Sequence, residues 1–160
     1  MKSLLVSAAA FLVSVSALAM PAVGDQALYN LNYTVNGTVN AGTYENEITG
    51  FDAATGMFTI HTIVTMGKQV DAQDEQSNSL LDDATVGQLI ANCTAQGGAL
   101  ESVTLPAGAF STCALPISGD DFSGTAWIAS GVPFGIVKMV QNKNSGAVVA
   151  LDLQSFRLGQ

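Results

Sequence analysis

Few residues in this sequence could carry chemistry, and their spacing limits what that chemistry could be. His61 is the single histidine among 160 residues, so any nucleophile–base–acid set would have to be built around it. Serines and aspartates are plentiful, yet no G-x-S-x-G elbow presents a nucleophile. His61 also lies inside a strand-like pattern with no recognisable partner, so it reads as a strand-face histidine rather than a general base. Asp71, Asp74, Glu75, Asp82 and Asp83 form the densest group of charges. Carboxylates in such number can hold Ca²⁺, but the spacing is not that of an EF-hand loop and no glycine stands at its turn position. A solvated loop leading into a helix cap accounts for them. Asp120 and Asp121, beside Gly119, read the same way. The sequence therefore assigns no catalytic residue, no metal ligand and no cofactor, and the protein is expected not to be an enzyme.

Cys93 and Cys113 are the only two cysteines. Their spacing rules out a redox C-x-x-C pair, and one histidine is too few to complete a zinc site with them. An even count in an exported chain reads as a disulfide, and closing a loop of this length is worth about 3 kcal/mol.

Export is the expectation set by the start of the chain. Lys2 is followed by an apolar run from Leu4 to Val15, and Ala17-Leu18-Ala19 has the small-x-small form of a cleavage site. The run is too short for a spanning helix, and Met20 stands where a lipid-modified cysteine would be needed. Residues 1–19 thus read as a signal peptide, and residues 20–160 as a single β-rich domain, soluble and periplasmic or secreted. The formal charge of −8 argues against nucleic acid as a partner, since nothing resembles a basic stripe that could displace counterions from phosphates. No later stretch is apolar enough to be a transmembrane segment.

The elements that would position these residues are mostly strands. Tyr29, Leu31, Tyr33 and Val35 alternate with polar residues, the period of a strand with one buried face. Gly37 and then Asn40-Ala41-Gly42 are read as turning the chain. Further strands are expected over 43–51, 57–64, 100–105, 110–115, 123–129, 134–141 and 148–158. The last of these changes phase in a way that a β-bulge near Ser155 would explain. Met66-Gly67-Lys68 reads as a turn with a short strand after it to Asp71, and residues 72–79 read as a loop. One helix is expected over 82–93, because Val86, Leu89, Ile90 and Cys93 share a face and Asp82 and Asp83 suit its first turn. The fold class is α+β: a curved antiparallel sheet of seven to nine strands, packed on or wrapping one main helix, with one disulfide.

Two segments, Val103-Thr104-Leu105-Pro106-Ala107-Gly108-Ala109-Phe110 and Trp127 with Val132-Pro133-Phe134-Gly135-Ile136-Val137-Lys138-Met139, resemble bacterial envelope proteins with the half-barrel of lipoprotein-localisation factors. The resemblance covers the C-terminal half and implies a curved sheet partly enclosing a helix, and a periplasmic home. Taken with the aromatic supply, it leads to an expected function: a non-enzymatic exported protein that binds an apolar or lipid-like ligand in the concavity of its sheet. Trp127 and Phe134, on either side of a Gly/Pro turn, are the candidate rim of that cavity. The alternative is a protein–protein interaction or inhibitor module of the envelope, acting through its surface or strand edges.

Overall fold

A computed structural model describes residues 21–159, so the expected signal peptide lies outside the described residues. Strand β1 (Gln26–Val35) turns at Asn36-Gly37 into β2 (Thr38–Asp52). Both turn residues have positive φ, 50° and 77°, the two-residue turn whose twist matches that of paired strands. Strand β3 (Met57–Met66) follows, then β4 (Gln69–Ser77). Helix α1 (Asp83–Ala91) and a short 3-10 turn (Thr94–Gln96) lead to β5 (Ala99–Leu105) and β6 (Gly108–Ser118). Strands β7 (Phe122–Ile128), β8 (Ile136–Lys143) and β9 (Val148–Arg157) complete the described chain. All nine strands form one curved antiparallel sheet in the order β4-β3-β2-β1-β9-β8-β7-β6-β5. The α+β class, the single helix and the disulfide are as the sequence leads one to expect.

Three local expectations fail for identifiable reasons. Residues 72–77 are not a loop but continue β4, each residue of which pairs in register with β3, from Met66↔Gln69 to Phe58↔Ser77. This is an edge strand exposed along nearly its whole length, and water on both faces leaves no apolar alternation to read. Asn40-Ala41-Gly42 does not turn the chain but lies within β2, near its start. Gly42 is needed there because a Cβ would stand 2.0 Å from the carbonyl oxygen of Thr65, so the glycine permits a close backbone approach. Phe134 is not in a strand either, since β8 begins only at Ile136.

The helix is capped as its sequence suggests. The Asp82 carboxylate accepts from the backbone N–H of Thr85 at 2.7 Å, and Gly97 ends the following turn with φ of 78°. A helix of nine residues is too short to hold by itself and depends on packing. Val86, Leu89 and Ile90 lie against Cys113 and Leu115 of β6 and Ile128 of β7. Cys93 and Cys113, both buried, are joined by the expected disulfide with Cα atoms 5.7 Å apart. The bond pins the end of the helical segment to the sheet.

A second, larger core lies towards the middle of the sheet. Ala27, Tyr29 and Leu31 of β1, Leu151 and Leu153 of β9, and Val137 of β8 are buried together with Ala129 and Val132. The tip of the β5–β6 hairpin closes over this cluster: β8–β9 pairing stops at Lys138↔Asp152, and the next carbonyl, that of Leu153, accepts from the N–H of Ala107 at 3.3 Å. The phase change in β9 is the expected bulge, since Leu28 pairs with Ser155 and Tyr29 with Leu153, leaving Gln154 as the extra residue.

Buried Asp25 ties the two ends of the described chain together. One carboxylate oxygen accepts from the N–H of Ala22 and the other from the N–H of Gly159, each at 2.8 Å. Glu47 bonds Arg157 at 3.0 Å, bracing β2 against the end of β9.

Candidate functional site

The helix covers only part of the sheet face on which it packs. The registers Tyr29↔Tyr44, Tyr29↔Leu153, Leu31↔Leu151 and Tyr33↔Val149 set these side chains on one face, and Tyr44↔Val64 and Leu151↔Met139 extend that face in both directions. A cavity of about 520 Å³ opens there, within the range usual for small-molecule sites. Its floor comes from Tyr29, Leu31, Tyr44, Val64, Met139 and Leu151, and its polar contributions include Asn46 and Gln141. Across the Leu31↔Gly42↔Met66 row the middle strand has no side chain at all.

Phe134 and Ile136 also line the cavity. Phe134 comes from the tight segment between β7 and β8, in which the Gly135 carbonyl accepts from Ala129 at 2.9 Å and the Val132 carbonyl from Gly135 at 3.0 Å, and Ile136 opens β8. Phe134 has φ of 62°, unusual for an aromatic residue and held by the structure around it. Gly135 fits where a Cβ would meet Val86 of α1 at 2.8 Å. The helix therefore fixes the loop, and the loop presents Phe134 to the cavity.

The polar groups at the cavity are largely satisfied. The Tyr29 hydroxyl donates to the Ile136 carbonyl at 2.9 Å, tying the floor to the start of β8. Burial first, and then the neighbouring Tyr44, push the Tyr29 phenol well above the ordinary tyrosine value. Thr62 donates to Asn46 Oδ1 at 2.8 Å. A lining of neutral polar groups and apolar side chains can hold a ligand by burial.

The residues singled out from the sequence are dispersed. Phe134 lines the cavity, whereas Trp127 does not. Trp127 pairs across the sheet with Lys138, one residue out of phase with the cavity-lining Met139. Its indole donates to Glu101 at 2.9 Å and lies under the Lys138 ammonium, 4.9 Å from the ring centre. His61 lies on β3 opposite Asp74, with 2.6 Å between Nδ1 and Oδ1. This cross-strand pair is not part of the cavity lining. Asp71, Asp74 and Glu75 lie on β4, and Asp82 caps α1. Asp121 bonds Lys143 at 3.4 Å. Among the described residues no cluster of three or more His, Cys, Asp or Glu could hold a metal ion, and no helix is long and apolar enough to cross a membrane. Sequence reasoning missed Ile136 and Met139 as lining residues. The alternation around Tyr29, Leu31 and Tyr33 did signal a buried face, but nothing marked that face as partly empty.

No protein-family profile matches the chain, and no curated protein matches it. Among solved structures it is similar to a candidate exported protein with a YmcC-like fold from Bacteroides fragilis NCTC 9343. The identity is 13% and the TM-score 0.46, over 85% of this chain and 96% of that one. These comparisons show no link to the lipoprotein-localisation factors.

Proposed function

We propose that this is a non-enzymatic, exported protein that holds an apolar or lipid-like ligand in the cavity of its curved sheet. The observation that carries the reading is the cavity itself: about 520 Å³, lined mainly by tyrosine, phenylalanine and aliphatic side chains, on the face the helix leaves uncovered. A fold that needed only a core would gain by filling that space, because an unfilled apolar volume forfeits contacts. The disulfide suits an oxidising compartment, and the start of the sequence suits export.

Native mass spectrometry of protein purified from its own compartment, with displacement of a fluorescent acyl probe, tests the reading. The expected result is a mass above that of the bare chain and a probe that competes with the native ligand. Val149→Trp, which places a large ring in the cavity lining, is expected to abolish probe binding while the fold is retained by circular dichroism. A bare mass together with no probe binding to the unsubstituted protein would sink the proposal.

A second reading has one observation in its favour. β5 is an open sheet edge on which Leu100 is 63% exposed, so a partner's strand could be added there. A pull-down returning one stoichiometric partner, lost on Leu100→Lys, would favour that reading over the carrier.

A further inference from the structure

The cavity does not end at its apolar lining. Val64 and Met66 line it and also line an open groove that continues past Lys68, Gln69, Val70 and Asp71 at the tip of the β3–β4 hairpin. The cation in that groove stands apart from the other cations of the described residues. Among the cations of the described residues, Lys138 lies 4.0 Å from Asp152, Lys143 3.4 Å from Asp121 and Arg157 3.0 Å from Glu47. Lys68 has no carboxylate within 4.0 Å among the described residues, and Asp71 has no cation within that distance. One positive and one negative group, each uncommitted, therefore flank the same groove at the mouth of a neutral apolar cavity.

From this juxtaposition we infer that the ligand is a single-chain zwitterionic amphiphile, an inference that rests on the cavity being a ligand site. Its chain lies along the floor from Tyr29 to Tyr33, about 13 Å of strand. Its anionic headgroup atom meets Lys68 and its ammonium meets Asp71. A volume of about 520 Å³ suits one chain. A purely anionic headgroup would meet Asp71 as well as Lys68, on a chain of formal charge −8. A neutral headgroup would leave both charges unused.

Calorimetric titration of the folded protein with three amphiphiles of equal chain length tests the inference: lysophosphatidylethanolamine, the corresponding fatty acid and the monoacylglycerol. The zwitterion is expected to bind tightest. Lys68→Gln and Asp71→Asn should each weaken it about three- to fivefold, the scale of an exposed ion pair, and leave the monoacylglycerol unchanged. Equal effects on zwitterion and monoacylglycerol, or none on either, would overturn the headgroup assignment while leaving the cavity reading intact. A fatty acid that binds tightest, and tighter still to Asp71→Asn, would overturn it in favour of an anionic ligand. Failure of all three to bind the unsubstituted protein would remove both proposals. Both variants lie on an exposed hairpin tip, and unchanged circular dichroism shows that they remain folded.

Discussion

Replacing Asp25 by alanine is the sharpest test of how the sheet is held. The carboxylate is buried and accepts two backbone N–H groups, from Ala22 and Gly159, each at 2.8 Å. Alanine leaves both donors without an acceptor. Gly159 is buried, so its N–H bears the full cost of an unmet hydrogen bond, about 1–3 kcal/mol. Ala22 is half-buried, and water can reach its N–H and recover part of the loss. The expected destabilisation is about 3 kcal/mol. Asp25→Asn separates charge and geometry: it keeps one acceptor oxygen but turns an NH₂ towards the other N–H, so a loss of about 2 kcal/mol is expected. Urea unfolding followed by circular dichroism reads this directly. With a slope of about 2 kcal/mol/M, the Asp25→Ala midpoint should fall by about 1.5 M with the slope unchanged. Hydrogen exchange at the Gly159 amide should accelerate in parallel. Midpoints within about 0.3 M of wild type for both variants, or a Gly159 amide as protected as before, would refute the claim that this carboxylate clamps the sheet.

Two further outcomes follow from the same packing. Reducing the Cys93–Cys113 bond, or replacing both cysteines by alanine, reopens a link between residues 20 apart in sequence. It should cost about 3 kcal/mol, lowering Tm by about 10 °C in a thermal melt; an unchanged Tm would show that the staple adds nothing. Tyr29→Phe removes the bond to Ile136 and should cost about 1 kcal/mol by urea unfolding. Because the folded Tyr29 phenol is raised, the unfolded chain ionises first. Stability should therefore fall as pH rises above about 10. That slope should be smaller in Tyr29→Phe, and an identical pH profile in the two proteins would argue against a buried, hydrogen-bonded phenol.

Strand direction and helix position were legible in the sequence where one side of an element is dry. Tyr29, Leu31 and Tyr33 alternate because one face of β1 is buried, and Val86, Leu89 and Ile90 share a face because α1 packs on β6 and β7. β4 was legible only as far as Asp71, because pairing of main-chain groups leaves no mark on side-chain polarity and its side chains meet water on both faces. Gly42 misled for a related reason. Glycine serves turns and close backbone contacts alike, and only the position of the Thr65 carbonyl tells them apart. The cavity was half legible. The alternation marked Tyr29, Leu31 and Tyr33 as one buried face, but of the two expected rim residues only Phe134 lines the cavity, which it reaches through a left-handed backbone. Emptiness depends on what fails to meet across a sheet, and a linear pattern does not carry that.

The order of strands in the sheet has a consequence for how the molecule assembles. β1 to β4 pair with their neighbours in sequence, and so do β5 to β9. Each group can form as a run of hairpins with short loops. Only β1 and β9 must find one another from opposite ends of the chain. Against a four-residue hairpin loop, closing a loop of well over a hundred residues costs about 3 kcal/mol more in chain entropy. This makes the β1–β9 seam the slow, non-local step of folding. The cavity straddles that seam, with Leu31 and Tyr33 on one side and Val149 and Leu151 on the other. Any occupant of the cavity thus bridges the two halves and raises the free energy needed to part them, in proportion to its affinity for the closed form.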